Sequence, residues 1–306
     1  MQPIVLVCFL LSGISGLTLE VVWTRMLEHV FGATTLAIST VLTCFMGGLA
    51  LGSWLFGRYG DKIKSPLITY AAAEGVVGVM AFVVPLLIHG VYPDLNRLMV
   101  THLSNNFWIM SLVRFAAVAA VLIIPTTCMG ATLPLLSRYV MTHGTHMNRV
   151  GSRVGILYTL NTTGAVVGVF MTTFALLPTV GLAATNRIAG TINIVLCFVI
   201  VTMGKSLLRS QKTNTDAPEE NLYALLRKDG NARFTITSRE RVVAMLAFFL
   251  SGLASMNLQV VWNRAMAMII GASVYSFSLV LIAFLVGLAS GSAVLSKMSQ
   301  RIANFA

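Results

Sequence analysis

Long apolar runs recur along the whole chain, and several exceed the roughly 18 residues that a helix needs to cross a bilayer core. Charged residues make up only 10% of the sequence, while 57% of the residues are apolar and the mean hydropathy is +0.84. Because the lipid interior offers the backbone no hydrogen-bond partner, runs of this kind must be helical. The sequence therefore predicts an all-α polytopic membrane protein.

The apolar runs predict about eight membrane-spanning helices. Between the third and fourth of them, residues 92–106 are mildly amphipathic, and we expect this segment to lie along the membrane interface. The predicted spans cover residues 3–23, 34–57, 67–91, 107–133, 152–178, 185–206, 241–262 and 273–297.

The basic residues predict how these spans are oriented. Most of the 21 Lys and Arg follow the even-numbered helices, so they share one side of the membrane. The positive-inside rule then places the N-terminus and the C-terminus in the cytoplasm. The net charge of +11 does not indicate nucleic-acid binding, because the basic residues are spread in short clusters between apolar runs. We expect a multi-pass membrane protein, with the lipid bilayer as its surroundings.

Polar and cysteine-containing segments indicate neither cofactor nor metal. The one long polar stretch, residues 207–240, predicts a cytoplasmic linker with a short helix around ENLYALLRK. It divides a membrane unit at 1–206 from a second membrane segment at 241–306. All four cysteines lie in apolar segments without CxxC or Cys/His pairing, which predicts small buried side chains; they are Cys8, Cys44, Cys128 and Cys197.

The chain contains an internal repeat. Residues 9–53 align without a gap with residues 248–292, and 20 of the 45 positions are identical. Helices 7 and 8 therefore repeat helices 1 and 2. Because an even number of spans separates the copies, both have the same orientation, as in the two parallel halves of major facilitator transporters. The repeat predicts a facilitator-like six-helix bundle followed by the first two helices of a second unit.

The loop after helix 2, GRYGDKIKSPL, resembles the facilitator loop signature in Gly57, Asp61 and Lys62. In that role the aspartate accepts hydrogen bonds from a neighbouring helix and clamps one state of an alternating-access cycle. The alternative is a plain basic turn.

Several segments together resemble the membrane region of bacterial fused facilitator/spermidine-synthase-like proteins. They are SGISGLTLEVVWTRML, GGLALGSW, IIPTTCMGATLPLLSRY and GSRVGILYTLNTTGAVVG. The resemblance implies a transporter of the facilitator type for polyamines or other small organic solutes. No glycine-rich nucleotide loop follows a strand pattern, so we expect no aminopropyltransferase activity in this chain. The alternative is a non-transporting scaffold that anchors a synthase-like subunit or joins a larger membrane complex.

Ionisable residues inside the spans are the first candidates for function, because each must be paired or face water. Glu20 and Arg114 are predicted at similar depth, pairing with each other or flanking one substrate cavity to which Asn161 also contributes. The alternative for Glu20 is a local contact with Arg25 or the interface. The repeat carries Gln259 where the first copy has Glu20.

Gating or structural roles are predicted for a second group of residues. Glu74 and Arg138 match in depth and suggest a pair near the inner ends of helices 3 and 4. Pro125 and Pro134 lie inside helix 4, where each removes a backbone donor, so the freed carbonyls need partners. That segment is either a hinge or binding element, or a packing kink. The second unit stops after two helices, so we expect either that the chain is a fragment or that a partner membrane protein or a second copy of the chain completes the unit.

Overall fold

The computed structural model describes residues 3–31, 35–103, 106–142, 150–213, 237–271 and 273–305, and these are helical nearly throughout. Nine α-helices are numbered here in chain order. Their bounds are α1 Pro3–Phe31, α2 Thr35–Tyr59, α3 Pro66–Gly90, α4 Tyr92–Leu103, α5 Phe107–Thr142, α6 Val150–Met171, α7 Leu177–Thr213, α8 Ser238–Ile270 and α9 Val274–Phe305. A 3-10 turn at Gly60–Lys62 joins α2 to α3, and a π-helical turn at Thr172–Leu176 joins α6 to α7.

Seven helical stretches in the described part of the chain are long and apolar enough to cross a membrane. The longest, Arg153–Gly204, has 52 residues, and its helical path breaks at Gly181, where φ is 78° and ψ is 176°. A stretch of that length is about 78 Å long as helix, more than twice the roughly 30 Å of a bilayer core. It therefore contains the fifth and sixth predicted spans, and the prediction of a polytopic helical membrane protein is confirmed.

The six long helices α1–α3 and α5–α7 pack as two related halves. The most extensive contacts join α2 to α5 and α1 to α6, followed by α3 to α7, α3 to α5 and α1 to α7. Exchanging α1 with α5, α2 with α6 and α3 with α7 converts this set of contacts into itself. Each half has three spans, an odd number, so corresponding helices run in opposite directions through the membrane. This pattern of contacts is the one expected of an inverted repeat of three helices.

Glycines allow the closest approaches in both halves. A Cβ atom at Gly52 of α2 would lie 2.0 Å from the Thr127 carbonyl oxygen of α5, and one at Gly130 of α5 would lie 2.2 Å from the Leu49 carbonyl oxygen of α2. The α1–α6 crossing is built in the same way, since a Cβ at Gly168 would lie 2.3 Å from the Ile14 carbonyl oxygen. Small residues bring helix backbones into contact, which is how helices associate in lipid.

Two prolines inside helices leave carbonyl groups that side chains of other helices satisfy. Proline lacks the N–H that would bond the carbonyl four residues earlier. Pro134 thus frees the Gly130 carbonyl, which accepts the Ser53 hydroxyl of α2 at 2.9 Å. Pro85 of α3 frees the Ala81 carbonyl, which accepts the Asn186 side-chain amide of α7 at 2.5 Å. Both prolines thereby fix a contact between two helices.

The short helix α4 is attached to α5 by polar contacts. The Tyr92 hydroxyl donates to the Ala117 carbonyl, and Asn96 accepts a hydrogen bond from Arg114 at 3.3 Å. Burial raises the pKa of Tyr92, with a smaller contribution from Cys44, so the phenol keeps the proton that it donates. Within the amphipathic segment predicted at 92–106, residues Tyr92–Leu103 therefore form a helix packed on the bundle.

The second unit packs unevenly against the first. Helix α9 lies along α6, and its Phe277 and Leu281 pack with Val21 of α1 and Val169 of α6. Helix α8 begins with a capping box between Thr237 and Glu240. Only 6% of the membrane-spanning window of α8 is buried, against 56% for α1, which α8 repeats. Most of the apolar surface of α8 is therefore left for lipid or another protein.

Some predicted boundaries were too short or lie outside the described residues. Helix α1 runs to Phe31 rather than 23, α5 to Thr142 rather than 133, and α7 to Thr213 rather than 206. Capping residues and charge mark the ends of the apolar runs, but a helix continues wherever its backbone can still hydrogen-bond beyond the lipid. The short helix predicted around ENLYALLRK falls in 214–236, outside the described residues.

The two repeat-related tryptophans differ in environment, and this predicts different effects of substitution. Trp23 is fully buried and its Nε1 donates to Asn186 Oδ1 at 3.0 Å, whereas Trp262 is 51% exposed. We expect Trp23→Phe to lower the free energy of unfolding by about 1–3 kcal/mol, because a buried amide oxygen loses its donor. The matched change Trp262→Phe alters it by less than about 0.5 kcal/mol. Unfolding in detergent micelles measures the free energy of unfolding of both variants. Equal losses in the two would contradict the different environments of Trp23 and Trp262.

Candidate functional site

A cavity with a partly polar wall lies inside the six-helix unit and has a volume of about 100 Å³. Its wall comes from α1, α2, α3, α5, α6 and α7, so both halves of the inverted repeat contribute. The polar lining residues are Ser12, Glu74, Thr132, Asn161 and Asn193, and the others are Gly13, Gly16, Leu17, Phe45, Leu49, Val77 and Met129.

Glu74 supplies the only carboxylate among the described residues of the cavity wall. It lies on α3 with 2% of its surface exposed, and one of its oxygens accepts the Ser12 hydroxyl of α1 at 2.5 Å. No basic residue lines the cavity. An ionised carboxylate in such a place is costly unless a cation or several donors balance it. The cavity is therefore suited to a ligand that carries positive charge or several hydrogen-bond donors.

Two asparagines complete the polar part of the wall. Asn193 of α7 accepts the Ser15 hydroxyl at 2.5 Å, and its Nδ2 has no hydrogen-bond partner within the described residues. Asn161 of α6 lies where α1 and α6 cross, since a Cβ at Gly13 would meet the Asn161 carbonyl oxygen at 2.2 Å. The structure thus brings the predicted cavity residue Asn161 together with Glu74, for which the sequence suggested a structural role.

Glu20 lies one helical turn beyond this cavity on α1. It is 1% exposed, and neither carboxylate oxygen has a hydrogen-bond partner among the residues that the structure describes. The predicted pair with Arg114 is not formed, because Arg114 is on the α4 side of α5 and donates to Asn96. The local alternative is also absent, because Arg25 forms an ion pair with Glu28 at 3.0 Å.

The predicted pair of Glu74 with Arg138 is replaced by other contacts. While Glu74 bonds Ser12, the Arg138 guanidinium lies beside the turn that joins α2 to α3, with its Nη1 3.6 Å from a Cβ built at Gly60. In the same turn Lys62 Nζ lies 5.6 Å above the Tyr59 ring. The backbone of Asp61 belongs to this turn, but its side chain is outside the described part of the structure.

Pro125 and Pro134 do not break α5, which remains one helix from Phe107 to Thr142. The Thr126 hydroxyl donates to the Leu122 carbonyl within the helix. The Gly130 carbonyl, which Pro134 leaves without a backbone donor, accepts the Ser53 hydroxyl of α2. These contacts favour the packing interpretation of this segment. Its Thr132 and Met129 line the cavity, so the segment also contributes to the site.

Polar contacts at the π-helical turn join three helices. Thr172 donates to Thr18 of α1 at 2.9 Å, and Thr173 donates to Ser278 of α9 at 2.6 Å. A π-helical turn shifts the register of a helix and often occurs at functional sites. Here it connects the first unit to the repeat.

Sequence reasoning missed Ser12 and Asn193 as cavity residues. Each is a single polar side chain in an apolar run, and such side chains also occur at helix–helix contacts that bind no ligand. Only Asn193 carried a usable signal, because a buried amide has more donors and acceptors than one helix can satisfy. Among the described residues, no group of three or more His, Cys, Asp or Glu could hold a metal ion.

Comparison with protein-family models, with curated proteins and with solved structures finds no match to this chain.

Proposed function

We propose that the protein is a membrane transporter of the facilitator type for small organic cations, with polyamines as the leading class. The observation that carries this proposal is the cavity with the Glu74 carboxylate in its wall and no basic residue among the described residues that line it. A buried carboxylate, two asparagine side chains and a hydroxyl provide acceptors for an ammonium group. Apolar side chains around them suit the methylene groups of an organic cation.

The architecture supports the same proposal. An inverted repeat of three helices around a polar cavity, followed by a parallel copy of its first two helices, is the arrangement of facilitator transporters. In this view the turn with Asp61 and Lys62 clamps one conformation, and Arg138 takes part because its guanidinium lies beside Gly60. We place the protein in the bacterial inner membrane with both termini in the cytoplasm, as the distribution of basic residues favours.

Uptake into proteoliposomes tests the proposal. The full chain is reconstituted in lipid vesicles, and entry of radiolabelled butylamine and 1,4-diaminobutane is followed against protein-free vesicles. We expect saturable uptake of at least one amine, and competition by unlabelled amine but not by a neutral alcohol of the same length. Uptake no faster than in protein-free vesicles for every amine would contradict the proposal.

A second candidate function, a non-transporting scaffold, is favoured by the surface of the second unit. In the first unit Gly48 and Gly52 are in close contact with α5, but a Cβ at Gly287 or Gly291, their repeat counterparts, would meet nothing within 4 Å. Gly252, the counterpart of the contact residue Gly13, is equally open. The repeat thus carries helix-packing positions without partners among the described residues. Absent uptake in the vesicle experiment would leave this function as the better account.

A further inference from the structure

The hydroxyl groups of the cavity wall have their hydrogens committed to other protein atoms. Ser12 donates to the Glu74 carboxylate at 2.5 Å, and Thr132 donates to the Met129 carbonyl of its own helix at 2.7 Å. A hydroxyl has one hydrogen and two lone pairs. While these two bonds are kept, both hydroxyl oxygens can meet a ligand in the cavity only as acceptors.

The hydrogen bonds around Asn193 make its amide a further acceptor. The single hydrogen of the Ser15 hydroxyl has two acceptors within reach, the Asn193 Oδ1 at 2.5 Å and the Ser12 carbonyl at 3.1 Å, while the Asn193 Nδ2 has no partner in the described structure. The two ends of an amide have nearly the same shape, so the hydrogen-bond network decides its orientation. Turning the amide over lets Nδ2 donate to Ser15 and lets Ser15 donate to Ser12. The Asn193 oxygen is then free to accept.

Two more oxygen-bearing side chains complete the polar wall. The Asn161 Oδ1 lies against α1, 3.0 Å from a Cβ built at Gly13. Glu74 brings the one negative charge among the described residues that line the cavity, and none of those residues is basic. The wall thus combines one carboxylate with four neutral side-chain oxygens, and each of these five side chains belongs to a different helix.

This set of atoms favours a hard monovalent cation. Soft metals prefer thiolate or imidazole groups, and the described residues of the wall include neither cysteine nor histidine. Calcium and magnesium bind mainly through carboxylates and water, and a divalent ion beside a single carboxylate would leave buried charge without balance. Sodium carries the one charge that Glu74 balances, and membrane proteins bind it through oxygens inside helical bundles. The short contact between Ser12 and Glu74 keeps the ligands close together, which favours sodium over the larger potassium ion.

We propose that the cavity is a sodium site built on the Glu74 carboxylate. Its neutral ligands are the side-chain oxygens of Ser12, Thr132, Asn161 and Asn193. The inference goes beyond the proposed function, because the ion binds whether or not the protein moves an amine. Since the ligands come from α1, α3, α5, α6 and α7, a bound ion joins these helices and stabilises the folded unit by mass action.

Thermal unfolding and equilibrium binding test the site on the full chain in a neutral detergent without any amine. Sodium chloride replaces choline chloride at constant ionic strength, and potassium chloride is compared in the same way. We expect sodium to raise the melting temperature by at least about 3 °C and potassium to raise it by less than about 1 °C. Radiolabelled sodium should bind saturably and be displaced by unlabelled sodium at a concentration at least about 10-fold below that of potassium.

Glu74→Gln removes the charge that the ion requires. Its amide oxygen still accepts the Ser12 hydroxyl, so the local contact is kept. We expect sodium affinity to fall at least about 30-fold, because the ion then lies in a buried site without a counter-charge. The sodium-dependent rise in melting temperature should disappear with it.

Thr132→Val removes one neutral ligand and keeps nearly the same side-chain shape. We expect at least about a 10-fold loss of sodium affinity, with a melting temperature in choline chloride that is unchanged or higher. Thr162→Val is the matched control. Thr162 is buried to the same degree, and its hydroxyl donates to the Tyr158 carbonyl of its own helix at 2.8 Å, but it does not line the cavity. Its sodium affinity should stay within about twofold.

The outcomes separate this site from the proposed transport. Equal effects of sodium, potassium and choline on the melting temperature, without saturable sodium binding, would overturn the sodium site. Unchanged sodium affinity in Glu74→Gln, or equal losses in Thr132→Val and Thr162→Val, would overturn it as well. Amine uptake by vesicles without sodium binding would overturn this inference alone, whereas sodium binding without amine uptake would support it and contradict the proposed function.

Discussion

Glu74→Gln is expected to lower the affinity of the reconstituted protein for an amine by at least about 30-fold. The glutamine oxygen still accepts the Ser12 hydroxyl, so the local structure is kept, but the charge that balances the ammonium is gone. Losing one partner of a buried charge pair costs about 2 kcal/mol or more, which corresponds to that factor. Equilibrium binding of radiolabelled 1,4-diaminobutane measures the loss, and transport at limiting substrate falls with it.

The matched control is Asp94→Asn, which removes a carboxylate from the exposed surface of α4. We expect it to leave amine binding within about twofold, because an exposed charge is screened by water and salt. An unchanged affinity in Glu74→Gln would show that the cavity is not the amine site. A loss of the same size in both variants would show that overall negative charge, rather than the cavity, attracts the amine.

Gly130→Ala is expected to have the largest effect on folding. Its new Cβ atom would lie 2.2 Å from the Leu49 carbonyl oxygen and 2.7 Å from the Leu49 Cα. These are backbone atoms of α2, so no side-chain rotation relieves the overlap, and the two helices must separate. We expect a loss of about 3 kcal/mol or more in the free energy of unfolding, at the upper end of overpacking costs. Thermal unfolding in detergent, followed by circular dichroism, measures the change.

Glycines without near neighbours serve as controls for Gly130. Gly47→Ala and Gly57→Ala alter α2 itself where a Cβ meets nothing within 4 Å, so the melting temperature should stay the same or rise. The inverted repeat adds a second check. Gly13 occupies the corresponding place in the α1–α6 crossing, and Gly13→Ala should destabilise the protein to a similar degree. A stable Gly130→Ala variant with a stable Gly13→Ala variant would contradict the close crossings.

Much of the architecture follows from the sequence, because lipid permits few backbone solutions. The apolar runs predicted the spans, and the structure confirms a polytopic helical protein. The parallel repeat was visible in residue identities. The inverted repeat within the first unit was not, because its halves share a contact pattern and a few glycines, such as Gly52 and Gly168, rather than a recognisable sequence. Opposed halves experience opposite membrane orientations, so selection on individual residues differs between them.

The site was only partly predictable for a related reason. Burial of Glu20 and Glu74 followed from their places in apolar runs, because an ionisable group inside a span has no exposed position to occupy. Their partners did not follow, because depth alone does not tell which helix faces align. Similar depth in the membrane suggested the pairs Glu20 with Arg114 and Glu74 with Arg138. In the structure, each helix is rotated so that Arg114 contacts Asn96 on α4 and Arg138 lies beside the turn at Gly60.

The sequence by itself determined that the chain spans a membrane as helices, that its start is duplicated, and that the copies differ by a carboxylate at Glu20. These follow from hydropathy, which acts on each segment separately, and from residue identity. The tertiary structure alone decided that Ser12, Glu74, Asn161 and Asn193 share one cavity and that Gly16 lines it. Those relations depend on how each helix is rotated and where glycines let backbones meet, and only the packing of all six helices sets both.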